Sequence, residues 1–160
     1  METVTGTPTD VEALLAALDA VAAEHGVVAQ AFDARYVADR DHLGRAVDLA
    51  GRERARGEAI ADDPAMEVLL YAAGRRQIDR ALAMGASAGE PSVVVLAGDE
   101  EASAAAAVRA RDPFDTHEVD LGDEATLREF FEVSDAELAA ADGDLAGVVH
   151  ERVALLVVER

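Results

Sequence analysis

The chain has 160 residues, 51% of them hydrophobic and only 4% aromatic, which predicts one domain with a core of Val, Leu and Ala. It contains no Cys, which excludes a disulfide framework, a thiolate metal site and a thiol nucleophile. No stretch is long and apolar enough to span a bilayer, and the acidic N-terminus METVTGTPTD is unlike a signal peptide, so we expect a soluble cytoplasmic protein.

The charge pattern is the strongest compositional signal. The chain has 33 acidic and 14 basic residues, for a net charge of -19, and every basic residue is Arg. Such a charge repels nucleic acid in dilute buffer, but in molar salt the Debye length falls to about 3 Å and the repulsion largely vanishes. An acidic, lysine-free surface is typical of cytosolic proteins of extreme halophiles. The acidity therefore indicates the solvent and does not exclude an RNA partner.

Hydrophobic periodicity and capping residues predict mostly helices in the first half of the chain. The predicted elements are a disordered segment over residues 1–8, a helix capped by Thr9 or Asp10 that runs to about Ala23, one strand or a bent pair over 27–37, a helix from Asp39 or Asp41, and a helix that starts at Asp62–Asp63–Pro64 and ends at Gly74. The mixed-charge segment over residues 51–57 fits the solvated end of the second of these helices.

The second half begins with the clearest strand, SVVVLAG over residues 92–98, whose continuous apolar run suggests burial on both faces. The elements predicted after it are an Ala-rich helix to about Arg111, a short edge strand over 117–121, helices over 123–131, 134–141 and 144–152, and a closing strand over 153–159. The sum is an α/β or α+β single domain over residues 9–160, with a small mixed sheet of about four strands and helices packed around it.

Residues 69–85, LLYAAGRRQIDRALAMG, carry the most informative local pattern. An apolar helix breaks at Gly74, and a second helix is predicted to end at Gly85. Arg75 and Arg76 fall at the break, where the second helix would present free backbone N–H groups. Basic side chains beside an open helix N-terminus form an anion site suited to phosphate. The alternative is an exposed, arginine-tipped turn that binds nothing.

The motifs that usually mark an enzyme are absent. Neither HExxH nor GxSxG occurs, and Asp99, Glu100 and Glu101 fill the place that a phosphate would take after the SVVVLAG strand. Asp39, Asp41 and His42 could form an acid–base cluster, although helix capping explains them with fewer assumptions. No metal-ligand spacing connects the four histidines, which are His25, His42, His117 and His150. We therefore expect no catalytic residues, metal or cofactor.

Five segments between residues 30 and 97 occur in an order that is informative as a set. They are QAFDARYV, DHLGRAVDLA, EAIADDPAMEVLLYAAG, RRQIDRALAMG and SVVVLA. The core of the pattern is Glu67 in an apolar helix, the RQI turn over 76–78, and a helix that ends at Gly85. On these residues the chain resembles the small kinase-binding (Cgi/TPRKB-type) subunit family of the KEOPS complex, and HERVALLVVER resembles that family's C-terminal helix and strand.

The resemblance implies a non-catalytic subunit that binds the small atypical kinase/ATPase subunit of KEOPS and tRNA, including the tRNA 3′ end. A different subunit then forms threonylcarbamoyladenosine in the tRNA. No cofactor, membrane or small-molecule substrate is implied. Arg75 and Arg76 would pair with phosphate and stack on bases, and Gln77 would read a base edge, whereas Ile78 is expected to pack inward.

The apolar residues expected to face the kinase are Ile60, Leu145, Val148 and Val149, with ordinary core packing as the alternative for each. Two other functions stay open at this point. One is a stand-alone small-molecule- or nucleotide-binding α/β enzyme, with Arg75, Arg76 and the Asp39/Asp41/His42 cluster in one pocket. The other is a purely structural partner subunit without RNA contact.

Overall fold

The structure is a computed structural model that describes residues 1–159, which contain eight α-helices and one four-stranded sheet. These residues form two compact units. The sheet unit comprises residues 1–34 and 85–120, and the helical unit comprises residues 35–84 and those from Leu121 onward. The predicted α+β class and the number of strands are confirmed, but the sheet is antiparallel throughout instead of mixed. The single domain over residues 9–160 stays a prediction.

The sheet has the strand order β2-β3-β1-β4, with strands β1 Glu2–Pro8, β2 Val27–Asp33, β3 Ser92–Gly98 and β4 Phe114–Thr116. The predicted disorder of residues 1–8 is therefore wrong. Buried and half-buried residues alternate along β1, but the small side chains of the sequence TVTGTP conceal this period of two. Two predicted boundaries also change, because β2 ends in a 3₁₀ turn at Ala34–Tyr36 and β4 precedes the expected strand over 117–121.

One face of the sheet carries the core of the sheet unit. Helices α1 Val11–His25 and α5 Glu101–Arg109 pack on it, and α1 begins where the Asp10 carboxylate accepts the Ala13 N–H at 3.1 Å. The pairing of β1 and β2 with β3 aligns their buried residues across the face. That core contains Val4, Leu14, Leu18, Val21, Val27, Ala29, Ala31, Val94, Leu96, Ala104, Ala105, Val108 and Phe114.

The helical unit is built around α3, in which every residue from Glu67 to Ala73 is buried. Aspartate or serine caps start four of the helices, as the sequence predicts for such residues before apolar runs. The helices of this unit are α2 Arg40–Ala55, α3 Pro64–Ala73, α4 Ile78–Ala81, α6 Glu124–Phe130, α7 Asp135–Ala140 and α8 Leu145–Glu159.

The last of these helices corrects the predicted closing strand over residues 153–159. Helix α8 continues from Leu145 to Glu159 without a break. Its buried residues Val148, Val149, Val153 and Leu156 recur at helical spacing, whereas Val158 is 76% exposed. A short Val-rich run satisfies the composition of a strand as well as that of a buried helix, so composition alone misled the prediction.

The end of α3 depends on a glycine. Gly74 adopts a φ of 62°, in the left-handed region, and its N–H bonds to the carbonyls of Leu70 and Tyr71. A Cβ at this position would lie 3.0 Å from the Arg152 carbonyl oxygen of α8. We therefore expect Gly74→Ala to lower the free energy of unfolding by about 1–3 kcal/mol, measured by thermal or denaturant unfolding.

Gly51 provides the matched control for that substitution. It lies inside α2, and nothing stands within 4 Å of the position that its Cβ would take. Gly51→Ala should raise the free energy of unfolding by about 0.5–1 kcal/mol, because the change removes freedom from the unfolded chain. Equal effects of the two substitutions would contradict the left-handed end of α3.

Candidate functional site

The predicted break at Gly74 is present, but the helix that follows it is shorter than the sequence predicts. The Arg75 N–H bonds to the Leu70 carbonyl at 3.1 Å, which completes the glycine-ended termination of α3. Gln77 precedes α4 and makes no side-chain capping bond. Helix α4 has four residues and passes into a 3₁₀ turn at Leu82–Met84, so the predicted long helix up to Gly85 does not form.

Arg75 is directed into the helical unit. Its guanidinium donates to the Phe130 carbonyl, lies 4.8 Å from the centroid of the Phe130 ring, and approaches the Glu132 carboxylate to 3.9 Å. Only 15% of its side chain is exposed. Burial, assisted by the nearby Arg80 charge, lowers the pKa of Arg75 from its ordinary value, although Glu132 opposes this. The guanidinium is engaged internally, so we assign Arg75 a structural role in place of the expected RNA contact.

The residues that follow Arg75 are exposed, and we call Arg76, Gln77, Ile78, Arg80 and Leu82 the α4 surface; the exposed Asp79 lies between Ile78 and Arg80 in the sequence. Within residues 1–159 the Arg76 and Arg80 side chains form neither an ion pair nor a hydrogen bond. Ile78 is 47% and Leu82 54% exposed, so the expected inward packing of Ile78 is wrong. Because α4 is one turn long and rests on Ala81, it buries little else. Unpaired cations and apolar side chains thus lie side by side.

A cavity of about 300 Å³ opens beside the α4 surface. Its lining residues are Tyr36, Arg80, Thr126, Glu129 and Phe130. The Tyr36 and Phe130 rings meet edge to face with their centroids 5.4 Å apart. The Thr126 hydroxyl donates to the Asp123 carboxylate at 2.6 Å. The lining therefore contains two aromatic rings, one cation, one carboxylate and two hydroxyl groups, those of Tyr36 and Thr126.

A second arginine fixes the same wall of the cavity. Arg152 of α8 donates to the Phe131 carbonyl at 3.1 Å and to both carboxylate oxygens of Glu137 at 2.7 Å. The Glu137 carboxylate raises the pKa of Arg152 through these hydrogen bonds. Arg128 of α6 pairs with Asp135 of α7. Together these contacts hold the turn between α6 and α7, which positions the Phe130 ring.

Asp39, Asp41 and His42 have structural roles. Asp39 caps α2 by accepting the His42 N–H at 2.8 Å, and its carboxylate also accepts a hydrogen bond from His150 at 2.9 Å. Although partial burial opposes it, these bonds hold the pKa of Asp39 below its ordinary value. Asp41 pairs with Arg45 at 3.2 Å. The cluster thus takes the helix-capping role that the sequence favoured over an acid–base role.

His42 is fully buried and joins α2 to the end of α3. Its Nδ1 accepts the Ala38 N–H at 3.0 Å, and its Nε2–H donates to the Ala72 carbonyl at 2.8 Å. Burial lowers the pKa of His42 to about 4, although the hydrogen bond to Ala72 opposes this. The neutral ring thereby holds Ala72, two residues before Gly74, at the end of α3.

The predicted kinase-facing residues divide into two groups. Val148 and Val149 are 3% and 0% exposed, so they belong to the core and cannot anchor a partner. Leu145 is half-buried and lines a separate cavity of about 280 Å³ together with Leu121 and Leu127. Ile60 is also half-buried. Leu145 and Ile60 therefore stay as predicted partner contacts.

The segment that carries Ile60 is held by a buried carboxylate. Glu67 of α3 is fully buried and accepts the Ile60 N–H at 2.9 Å and the Ala61 N–H at 2.8 Å. Arg54 adds a hydrogen bond to the Ala61 carbonyl at 2.6 Å. This connection has no regular secondary structure, but the hydrogen bonds fix both its backbone N–H groups and its backbone carbonyl. The same N–H groups provide the buried Glu67 carboxylate with the hydrogen bonds that it needs.

Sequence reasoning found the α4 surface but missed the cavity beside it. Tyr36 and Phe130 are separated by more than ninety positions, and no local motif connects them. The one sequence feature that could have drawn attention to them is that aromatic residues are rare, at 4% of this chain. Gln77 is exposed, as a residue that reads a base edge requires.

Residues 1–159 contain neither a metal-binding cluster of side chains nor a helix suited to span a membrane. No group of three or more His, Cys, Asp or Glu side chains lies close enough to hold a metal ion. Among the same residues, no helix combines the length and apolarity that a bilayer crossing requires.

Comparison with known proteins gives one family. The family model described as kinase binding protein CGI-121 matches residues 9–156, which is nearly the whole chain. No curated protein matches the chain significantly. The matched range includes α2, α3, the α4 surface and the cavity beside it.

The contrast between the two adjacent arginines can be measured directly. Arg75→Met removes a hydrogen bond to a carbonyl and the stacking on Phe130, so we expect it to lower the free energy of unfolding by about 1–3 kcal/mol. Arg76→Met removes an exposed side chain without a partner and should change that energy by less than about 0.5 kcal/mol. Denaturant unfolding of both variants checks the assignment, which equal losses would contradict.

The state of His42 gives a pH dependence of defined sign. Its folded pKa of about 4 lies below the ordinary value of 6.5, so between these two values the unfolded chain binds more protons than the folded chain. The contribution of His42 is full above pH 6.5 and falls by about 3 kcal/mol as the pH drops through 4. NMR titration should find the His42 ring neutral at pH 5.5, and a midpoint near 6.5 would contradict its burial.

Proposed function

Because the chain belongs to the CGI-121 family of kinase-binding proteins, we propose that it is the non-catalytic kinase-binding subunit of the KEOPS complex. In this role it binds the small atypical kinase/ATPase subunit and holds the 3′ end of tRNA, while another subunit forms threonylcarbamoyladenosine. The proposal includes a cytoplasm of high salt concentration, which the charge of -19 favours.

The observation that supports RNA binding is the composition of the α4 surface. In a strongly acidic chain, Arg76 and Arg80 are exposed cations without an acidic partner in the described residues. Ile78 and Leu82 expose apolar area beside them. Single-stranded RNA is bound by this combination, since cations pair with its phosphates and flat or apolar side chains pack on its unstacked bases. Gln77 adds an amide that can pair with a base edge.

The cavity beside the α4 surface favours binding of the unpaired end of an RNA strand over binding of a duplex. A volume of about 300 Å³ is large enough for one base, and its aromatic walls favour a flat group. The Tyr36 and Phe130 rings offer stacking area to a base that has left its own stack. An unpaired 3′ end meets this requirement without the energy of opening a helix.

The kinase is proposed to contact a different part of the helical unit. Leu145, at the start of α8, lines an open cavity with Leu121 and Leu127, and a partner side chain inserted there would bury apolar area. Ile60 is the second proposed contact, because Glu67 holds its segment in one conformation and so lowers the entropy lost on binding.

The experiment measures tRNA binding and kinase binding on the same variants, in potassium chloride from 0.3 to 3 M. Arg76→Ala should weaken tRNA binding by about 3- to 10-fold at the lowest salt concentration and reduce the slope of log K against log salt by about 1. The matched control is Arg111→Ala, another exposed arginine in the sheet unit, which should leave both quantities unchanged.

Kinase binding should be weakened by a substitution at a proposed kinase contact and not by one on the α4 surface. We expect Leu145→Asp to weaken association with the kinase by at least tenfold and Arg76→Ala to leave it intact, with Leu15→Asp as the control for a charge placed on an exposed leucine. If Arg76→Ala and wild type bind tRNA equally at every salt concentration, the RNA role is wrong. The chain is then a purely structural partner of the kinase.

A further inference from the structure

The cavity at the start of α8 combines apolar side chains with a negative charge. Its volume is about 280 Å³, and Leu121, Leu127 and Leu145 contribute leucine side chains to its lining. Glu124, the first residue of α6, contributes a carboxylate, and the described residues of the lining include no cation. A matching occupant is therefore apolar along its length and positively charged at its end.

Other cavities of the helical unit have a different charge pattern. The cavity beside the α4 surface is lined by Arg80 as well as Glu129, and a cavity between α2 and α8 is lined by Arg45 as well as Asp48. In both of these cavities a basic and an acidic side chain share the lining. The cavity at the start of α8 is thus the better match for a cationic group from outside the chain.

The Glu124 carboxylate is not neutralised by its own chain. The basic residue closest to it in the sequence is Arg128, one turn further along α6, and Arg128 pairs with Asp135 of α7. Within residues 1–159 the Glu124 side chain forms neither an ion pair nor a hydrogen bond. Unpaired carboxylates are expected in a chain of net charge -19, but this one lines a cavity and can bind a cation that enters it.

The helix ends beside the cavity do not reverse its negative charge. Helices α6 and α8 both begin there, and a helix N-terminus carries roughly half a positive charge. Asp123 accepts the Thr126 N–H at 3.0 Å at the start of α6, and Asp144 accepts the Gly147 N–H at 3.0 Å at the start of α8. These two carboxylates outweigh the two helix ends, and Glu124 adds a third negative charge. The local potential therefore favours a cation.

We propose that this cavity receives an arginine or lysine side chain of the kinase, with its methylene groups on the leucines and its charged head group on Glu124. The inference rests on the proposed function, because it takes the kinase to dock at Leu145. A leucine or phenylalanine of the kinase would fill the same space, but it would remove water from the Glu124 carboxylate without replacing the lost hydrogen bonds. An acidic side chain would be repelled.

The turns that border the cavity are fixed before a partner arrives. At the start of α6 the Asp123 N–H donates to the Arg35 carbonyl at 2.9 Å. Before α8 the Gly143 N–H donates to the Leu138 carbonyl at 2.9 Å, and Gly143 adopts a φ of 78°. Because both turns are held by backbone hydrogen bonds, little entropy is lost in the cavity wall when a side chain enters.

High salt concentration restricts the attraction to direct contact. In molar salt the Debye length is about 3 Å, so basic residues of the kinase that stay outside the cavity gain little from the acidic surface. A head group that donates to Glu124 inside the cavity is screened less. We therefore expect the Glu124 charge to act mainly on the dissociation rate of the complex, whereas a distant charge would act on the association rate.

The test measures association of the full chain with the kinase in 0.3 to 3 M potassium chloride. Glu124→Gln keeps the shape and removes the charge, and it should weaken binding by about 3- to 10-fold at 0.3 M, mostly through faster dissociation. Glu124→Arg places a second cation in the cavity and should weaken binding by at least about 30-fold.

The matched controls are Glu12→Gln and Glu12→Arg. Glu12 is an exposed glutamate in the first turn of α1, so these variants make the same charge change at a helix start in the sheet unit. They should leave kinase affinity within about twofold of wild type. Denaturant unfolding of all four variants separates a loss of folding from a loss of binding.

A charge exchange identifies the partner residue. Arginine and lysine residues of the kinase are replaced one at a time by glutamate and tested against wild type and Glu124→Arg. One replacement should weaken binding to wild type and restore binding to Glu124→Arg by at least about tenfold, because the two charges of the pair are exchanged. If no replacement restores binding, the inference is wrong.

The remaining outcomes distinguish this inference from the proposed function. If both Glu124 variants bind like wild type while Leu145→Asp binds poorly, the occupant is apolar, so the inference is wrong and the kinase contact stands. If Leu145→Asp also binds normally, the proposed kinase contact is wrong and the inference falls with it. Tighter binding by Glu124→Arg would assign the cavity to an acidic side chain and overturn the inference.

Discussion

The helical unit depends on the way two arginines meet the carboxyl end of α6. This helix has seven residues, and its last carbonyl groups find no partners within it. Arg75 donates to the carbonyl of Phe130, and Arg152 donates to that of Phe131 and, at 3.4 Å, to that of Glu132. Two cations at the negative end of a short helix complement its dipole while they satisfy these groups. The aromatic wall of the cavity beside the α4 surface is a consequence of this arrangement.

The same arrangement explains why adjacent arginines differ in role. Gly74 turns the chain after α3, and of the two arginines that follow, Arg75 is mostly buried against Phe130 whereas Arg76 is exposed. In a chain of net charge -19 an arginine is readily paired with an acid, as Arg128, Arg45 and Arg152 are. Arg76 and Arg80 are instead left without a partner in the described residues. Arg109 and Arg111 are likewise without a partner there, so the exposed Ile78 and Leu82 beside Arg76 and Arg80 are what distinguish the α4 surface as a candidate for an anionic ligand with flat groups.

The sequence predicts elements well where a cap and a period agree. Asp10, Asp39, Asp63 and Ser134 each start a helix within a residue of the predicted position, because their carboxylate or hydroxyl satisfies backbone N–H groups. It fails where the local signal is weak or shared by two structures. The threonine-rich β1 lacks the bulky residues of a typical strand, and the Val-rich end of α8 fits a strand and a helix equally.

The candidate site, too, could be predicted from the sequence only in part. Residues 74–78 could be recognised as a break with unusual charges because both features are local. Which of the two arginines is free depends on a φ angle and on the Phe130 carbonyl, and neither is encoded near residue 75. The cavity beside the α4 surface depends on tertiary packing alone, which brings Tyr36 against α6. Val148 and Val149 could not be distinguished from exposed partner contacts before the buried face of α8 was known.

The most direct test of the central claim maps the RNA contact on the chain itself. Backbone amide NMR shifts would be recorded in concentrated potassium chloride during titration with a single-stranded oligonucleotide of the tRNA 3′-end sequence. The α4 surface and the lining of its cavity should give the largest changes, within residues 76–82 and 126–130, with none along α1 or α5. Changes confined to other surfaces, or no changes at saturating RNA, would contradict the proposed role of the α4 surface.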